Sequence, residues 1–260
     1  MTRLLVITAH PDDEVLIAGG TLAACAEAGI TAGVICLTDG ELGPIADPAL
    51  ASRETLGEVR RAELDAACRT LGVEWCECLE GDDGALRWTE GPSIAQQLAQ
   101  RLERHRPEVV LTFGPDGLYW HDDHIAAFEL AREAVRLARY EVCLYRAIWA
   151  KDEMTQFALE LQQRGLLGDL WGLEPEDFGV EEEDREGELV LDVSRQCARK
   201  LAALRCHRTQ LERDNVLLEL PEDLALRFLG RERFARVEIP DSPPCRSSLL
   251  AELGASPARV

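Results

Sequence analysis

The chain has 260 residues, with 28 Lys plus Arg against 48 Asp plus Glu and a formal charge of -20. An acidic field of that size repels phosphate backbones, which argues against nucleic acid and anionic membrane as partners. The length suits one large α/β domain or two small ones, and is enough to bury a core without disulfide staples.

LLVIT (4–8) is a short continuous apolar run, the pattern of a parallel strand buried on both faces. Residues 14–28 are rich in Ala and Leu and stop at Gly29, which reads as a helix and its end. AGVICLT (32–38) is a second strand, leading into a long loop from Asp39 to about Ser52. GEVRRAELDAACRTLG places Val59, Leu64, Ala67 and Leu71 at helical spacing and ends at Gly72. VEWCECL (73–79) is a third strand, and SIAQQLAQRLERHRP a helix stopped by Pro107. EVVLTFG (108–114) is a fourth strand, HIAAFELAREAVRLARY a helix, and EVCLYRAIW (141–149) a fifth strand. Repeated β–α units of this kind predict a parallel sheet with helices on both faces.

Beyond residue 150 the pattern loosens. FGVEEEDREGE (178–188) reads as a solvated acidic loop, and VLDVSRQCARKLAALRCHRTQLERD as a strand end followed by a helix. The tail SPPCRSSLLAELGASPARV reads as a surface arm. With no repeat and no linker, the expectation is one domain over 1–260, a core over 1–150 and a C-terminal elaboration over 151–260.

Nine cysteines, an odd number, lie between Cys25 and Cys245, several of them (Cys25, Cys36, Cys143) inside apolar runs where a free thiol acts as a small hydrophobe. Cys76 and Cys78 have one residue between them, not the two of a redox or zinc-knuckle motif. The expectation is free thiols in a reducing cytoplasm. The apolar run before His10 is too short for a signal peptide, and no run approaches the roughly 20 apolar residues of a membrane span.

The chemistry concentrates in two turns. AHPDDE (9–14) follows the first strand and opens the first helix. Acids in a first helical turn complement the macrodipole and satisfy free N–H groups, so capping explains part of the motif. It does not explain His10 or two adjacent aspartates. GPDGLYWHDDH (114–124) follows the fourth strand and opens another helix, so three of the five histidines fall in two strand-to-helix turns. In a doubly wound sheet such turns share the edge where ligands bind. Two imidazoles and a carboxylate from these turns form the open His2Asp pattern of a catalytic zinc site.

AHPDDE, followed by GGTLA, TDGE, RRAEL and an HxDH sequence after the fourth strand, resembles the PIG-L / LmbE-like zinc-dependent N-acetylglucosaminyl deacetylases, near the branch of the mycothiol- and bacillithiol-pathway enzymes. The resemblance covers 4–149, with KLAALRCHRTQ (200–210) similar to a further family segment. It implies a Rossmann-like fold and removal of acetyl from an N-acetylglucosamine derivative, or cleavage of a related thiol-conjugate amide. It implies His10, Asp13 and His124 as zinc ligands, Asp12 as general base, and His121 as the group that steadies the oxyanion or protonates the amine as a histidinium. Asp123 is expected to orient His121, Tyr119 to flank the pocket, and Arg60 and Asp83 to contact the sugar. Asp122 departs from the family's usual proline in HPDH. Glu14 is left to the helix.

Other readings stay open at single residues. Arg60 and Arg61 equally suit ion pairs on a solvated helix. His207 either lines the pocket for substrate or is a packed histidine, and Trp120 is a pocket wall or a core residue. Gly19 and Gly20 suit close helix-to-sheet packing. The arginines of SRETLGEVRR (52–61) leave room for an anionic aglycone. The same triad also holds Fe(II); a non-catalytic metal- or sugar-binding protein is a second rival, although it has no need of Asp12. A phosphohydrolase using the same acids is a third, disfavoured by the acidic charge and the lack of a glycine-rich phosphate loop near a lysine. The expected partner is a small amino-sugar substrate, with homo-oligomerisation open.

Overall fold

The computed structural model describes residues 2–88, 91–166, 177–211, 220–240 and 245–258. Its first half alternates strand and helix: β1 (Leu4–Thr8), α1 (Asp13–Glu27), β2 (Ala32–Cys36), α2 (Leu56–Leu71), β3 (Trp75–Cys78), α3 (Gly91–His105) and β4 (Val109–Thr112). A kinked turn, α4 (Gly117–Trp120), precedes α5 (Asp122–Leu137), β5 (Cys143–Ala147) and α6 (Lys151–Gln163). Then come β6 (Leu189–Asp192), α7 (Cys197–Leu204), α8 (Glu222–Leu229), β7 (Arg231–Arg236), α9 (Leu249–Glu252) and β8 (Ser256–Pro257).

The strands form one sheet in the order β3-β2-β1-β4-β5-β7-β6-β8. The first five are parallel, as the sequence predicts for the core, and the C-terminal part extends the sheet by three antiparallel strands. Every residue of β1, β2 and β4 is buried, which is why those strands read as unbroken apolar runs. α1 packs with α2 and α7, and α3 with α5. Strand order reverses between β1 and β4, which pair in register from Leu4↔Val109 to Val6↔Leu111. The turns leaving these two strands therefore open side by side, as at the ligand crevice of doubly wound sheets.

The C-terminal part is more closely integrated than its sequence suggests. β7 inserts between β5 and β6, and its Glu232 is buried against α1. There the carboxylate accepts from the N–H groups of Gly20 (2.7 Å) and Thr21 (2.8 Å) and from the Thr21 hydroxyl (2.6 Å). The Lys200 ammonium of α7 donates to Glu232 (2.7 Å) and to the Leu16 carbonyl (3.1 Å). A lysine–glutamate pair thus serves α1 in mid-course as donor and acceptor together. Gly20 has no room for a Cβ, which would lie 2.4 Å from the Val193 side chain, in accord with the packing reading of that glycine.

The tail is not a surface arm. Leu249 and Leu250 are buried, β8 pairs with β6, and Cys245 forms a disulfide with Cys143 of β5. The expectation of free thiols throughout fails at this pair, which 102 residues of chain separate and no local spacing marks. The other seven cysteines are free. Residues 181–184 are solvated as expected, but Phe178 and Glu188 at either end are buried. The tail's 242–244 and 259–260 and the helical reading over 212–214 lie outside the described residues. Among those described, no helix is long and apolar enough to cross a membrane.

Candidate active site

The turns after β1 and β4 meet over a cavity of about 340 Å³, lined in part by His10, Asp12, Asp13, Tyr119, His121 and His207. His10, Asp13 and His124 bring one potential ligand atom each to within 4.8 Å of the others. Asp13 Oδ2 lies 3.4 Å from His10 Nδ1, and its Oδ1 lies 3.2 Å from His124 Nε2. Tetrahedral coordination with bonds of roughly 2.0–2.1 Å sets donor–donor edges of about 3.3 Å, so these three residues fit a zinc-sized cation.

The rings present the required nitrogens for identifiable reasons. His124 is stacked on Phe113 (4.1 Å between centroids) and directs Nδ1 to the Gly117 carbonyl at 3.1 Å, which leaves Nε2 as the free donor. His10 Nε2 lies 3.1 Å from both Asp83 Oδ1 and Asp123 Oδ2. Two carboxylates require a proton on that nitrogen, so Nδ1 is the one left for a cation. Burial opposes protonation of His10, but Asp123, Asp13 and Asp83 hold its pKa well above the usual imidazole value. Burial likewise opposes the Asp13 carboxylate, and His124 and His10 hold its pKa well below the usual range.

In this arrangement Asp123, Asp83 and His121 make contacts other than those expected of them. The Asp123 carboxylate lies within 4.8 Å of a His121 ring nitrogen but makes no hydrogen bond to it: Oδ2 accepts from Gly84 N–H (2.7 Å) and His10, and Oδ1 from Leu86 N–H (3.0 Å). Only its backbone N–H meets His121 Nδ1, at 3.3 Å, the helix-capping bond of α5. Asp83 is likewise engaged inside the protein, with Oδ2 accepting from Leu42 N–H (2.8 Å) and Oδ1 facing His10. Because Nδ1 of His121 is an acceptor, its Nε2 carries the proton of the neutral ring. Burial, with the His124 and His10 charges, lowers the His121 pKa to about 4, which favours the neutral ring over the expected histidinium.

Asp12 is the residue the fold treats most unusually. It occupies the N-cap position of α1 at φ 122°, ψ -31°, yet makes no side-chain capping bond. A non-glycine residue in that region costs about 1–3 kcal/mol and persists only where its surroundings impose it. Glu14 Oε2 accepts the Asp12 N–H (2.9 Å), while Arg60 Nη2 donates to the Pro11 carbonyl (2.6 Å) and to Asp12 Oδ2 (3.0 Å). Burial raises the Asp12 pKa to about 6, against the pull of Arg60 and with the help of the Asp13 charge.

Arg60 is buried at the cavity wall with its Nη1 on the Gly40 carbonyl (2.9 Å), so both terminal nitrogens of this guanidinium clamp the turn. Gly40, at φ 67°, permits the approach, since a Cβ there would lie 2.2 Å from Nη1. The neighbouring arginines are engaged too: Arg53 with the Glu41 and Gly43 carbonyls, Arg61 with Asp39. Tyr119 walls the cavity, edge-on to His121 and His124. Trp120 is neither wall nor core, being 68% exposed. His207 lines the cavity but spends Nε2 on Glu14 Oε1 at 2.9 Å. Glu14, fully buried, is the residue the sequence reading passed over; its partner stands 193 positions away, and no local pattern signals it.

Residues 5–135 match the family described as PIG-L: GlcNAc-PI de-N-acetylase. A 1D-myo-inositol 2-acetamido-2-deoxy-alpha-D-glucopyranoside deacetylase of Actinosynnema mirum is 34% identical over 80% of this chain and 81% of its own length. The chain belongs to the PIG-L family. Among solved structures, the N,N'-diacetylchitobiose deacetylase of Pyrococcus horikoshii aligns with TM-score 0.62 at 24% identity, over 91% of this chain and 84% of that one. A 4-carboxy-2-hydroxymuconate hydratase of Pseudomonas putida aligns with TM-score 0.60 at 21% identity, over 94% of this chain and 99% of that one. Both likenesses are of fold alone, and the PIG-L fold's appearance in a hydratase leaves the reaction to be argued from the side chains.

Proposed function

We propose that the chain is a zinc-dependent N-deacetylase that hydrolyses the acetamide of an N-acetylglucosamine derivative. One observation carries the reading: the two aspartates of a single turn are assigned different surroundings. Asp13 lies between two imidazoles, while Asp12 faces the same cavity free of both the ligand set and the helix cap. His10, Asp13 and His124 would hold the cation, zinc by donor type, with Fe(II) also compatible. Held there, it supplies Lewis-acid polarisation of the amide carbonyl and acidification of a water.

The chain's own groups supply the rest. Asp12, with a pKa lifted towards 6, accepts the proton of the attacking water and passes it to the departing amine. His121 donates from Nε2 to the carbonyl oxygen as it becomes an oxyanion, a role that suits a neutral ring. Tyr119 closes the wall beside it and narrows access for bulk water. The named activity of the actinobacterial relative supports an amino-sugar glycoside as substrate.

The test is acetate release from N-acetylglucosaminyl glycosides by the metal-loaded protein, by the chelated protein, and by Asp12→Ala. Asp12→Ala should keep one zinc per chain and lose on the order of 100-fold or more in rate. Undiminished turnover in that variant would remove Asp12 from the reaction.

A further inference from the structure

We infer that Glu14 and His207 are positioning residues for Asp12, two members of a closed internal brace that holds the reactive carboxylate away from its own helix. The inference rests on the reading of Asp12 as the base.

An aspartate at an N-cap ordinarily turns its carboxylate onto the N–H groups of the first helical turn. Asp12 does not, because its own N–H is tied to Glu14 Oε2 at 2.9 Å and its backbone is held at φ 122°. The other oxygen of Glu14 meets His207 Nε2 at 2.9 Å, and both side chains are wholly buried. His207 cannot swing, because Thr209, two residues on, is fixed to Glu63 of α2 through its N–H (2.8 Å) and hydroxyl (2.6 Å). Glu63 lies three residues along α2 from Arg60, whose Nη2 returns to Asp12 Oδ2 at 3.0 Å. The path from Asp12 through Glu14, His207, Thr209, Glu63 and Arg60 leads back to Asp12. Arg60 fixes the carboxylate, and Glu14 fixes the backbone that carries it. The remaining nitrogen of His207, Nδ1, is buried without a hydrogen-bond partner among the described residues, so Glu14 is the one side chain that ties this ring.

Glu14→Ala removes the acceptor for the Asp12 N–H; Glu14→Gln retains an oxygen for that N–H and an amide that can face His207. In the zinc-loaded full-length protein, Glu14→Ala should lower kcat by on the order of 100-fold with KM unchanged, the loss expected for a displacement of about 1 Å. Glu14→Gln should stay within about tenfold of wild type. A double-mutant cycle separates positioning from general weakening: in an Asp12→Ala background, Glu14→Ala should cost nothing further, because the group it positions is gone. His207→Gln and His207→Ala provide a second entry to the same cycle should Glu14→Ala fail to fold. Zinc stoichiometry should stay at one per chain, and amide exchange at Asp12 should accelerate in Glu14→Ala but not in Glu14→Gln, a readout independent of turnover. Additive losses in the cycle, equal loss in Gln and Ala variants, or loss of zinc together with rate would overturn the inference. A wild-type protein that releases no acetate speaks against the deacetylase reading instead, and the exchange measurement then decides the brace by itself.

Discussion

Replacing Asp123 by asparagine tests the assignment of this carboxylate to His10. Asp123 offers two oxygens to three donors: Oδ2 to Gly84 N–H and His10 Nε2, Oδ1 to Leu86 N–H. Asparagine keeps one oxygen, so its NH2 must face either Leu86 N–H or the Gly84 and His10 donors. Donor then opposes donor in a site that is 1% exposed. His10 retains Asp83 on the same nitrogen at 3.1 Å, so the ring is loosened and not released. Groups that orient a metal-binding imidazole in this way are worth roughly 10–100-fold in metal affinity, or about 1.4–2.7 kcal/mol. The assay is competition for zinc between the apoprotein and a chromophoric chelator, followed by kcat at saturating zinc. The expected result is a zinc Kd raised by roughly 10–100-fold with kcat changed by less than about tenfold. If zinc affinity is unchanged while kcat at saturation collapses, Asp123 serves His121, as the sequence pattern suggests, and the geometric argument is refuted.

The pH profile should show an acid limb, because Asp12 in its proposed role as base works only as a carboxylate, and its contribution is lost as pH falls through its folded pKa. That value is about 6 without metal and is lowered by a neighbouring cation, so kcat/KM measured across pH 4.5–8 should fall only below about 6. A limb centred above pH 7 would contradict the assignment. Lys200→Met leaves Glu232 buried without its ammonium partner, and breaking such a pair costs about 3–5 kcal/mol. Thermal unfolding should drop by roughly 10 °C, and an unchanged Tm would show that the backbone donors of Gly20 and Thr21 satisfy Glu232 unaided.

The sequence is most transparent where structure is local. Continuous apolar runs mark β1, β2 and β4 because both faces of those strands are covered. The two histidine-bearing turns are legible because ligand type and position after a strand are local properties, and strand order then brings them together. Side-chain partnerships are not local. Asp123 and Asp83 meet His10 through the turn at 81–86, Arg60, expected to contact the sugar, folds back on Asp12, and Glu14 awaits a histidine 193 residues later. β7 illustrates the other limit: RERFAR has no apolar alternation, because one of its inward positions is Glu232, neutralised by a lysine from α7.

The grip of the C-terminal part on α1 has a consequence for modularity. All three residues proposed to hold the metal, and Asp12 and His121 with them, lie within the first 124 positions, inside the stretch the family match covers. Helix α1, which carries two of these groups at its start, is nevertheless held at its first turn by His207 and in mid-course by Lys200 and Glu232. A fragment cut after β5 would carry the full inventory of reactive side chains without the frame that aims them. The reactive groups thus lie in the first half of the chain, while part of the frame that aims them comes from the second, and a graft of the first half alone should bind a cation and turn over nothing.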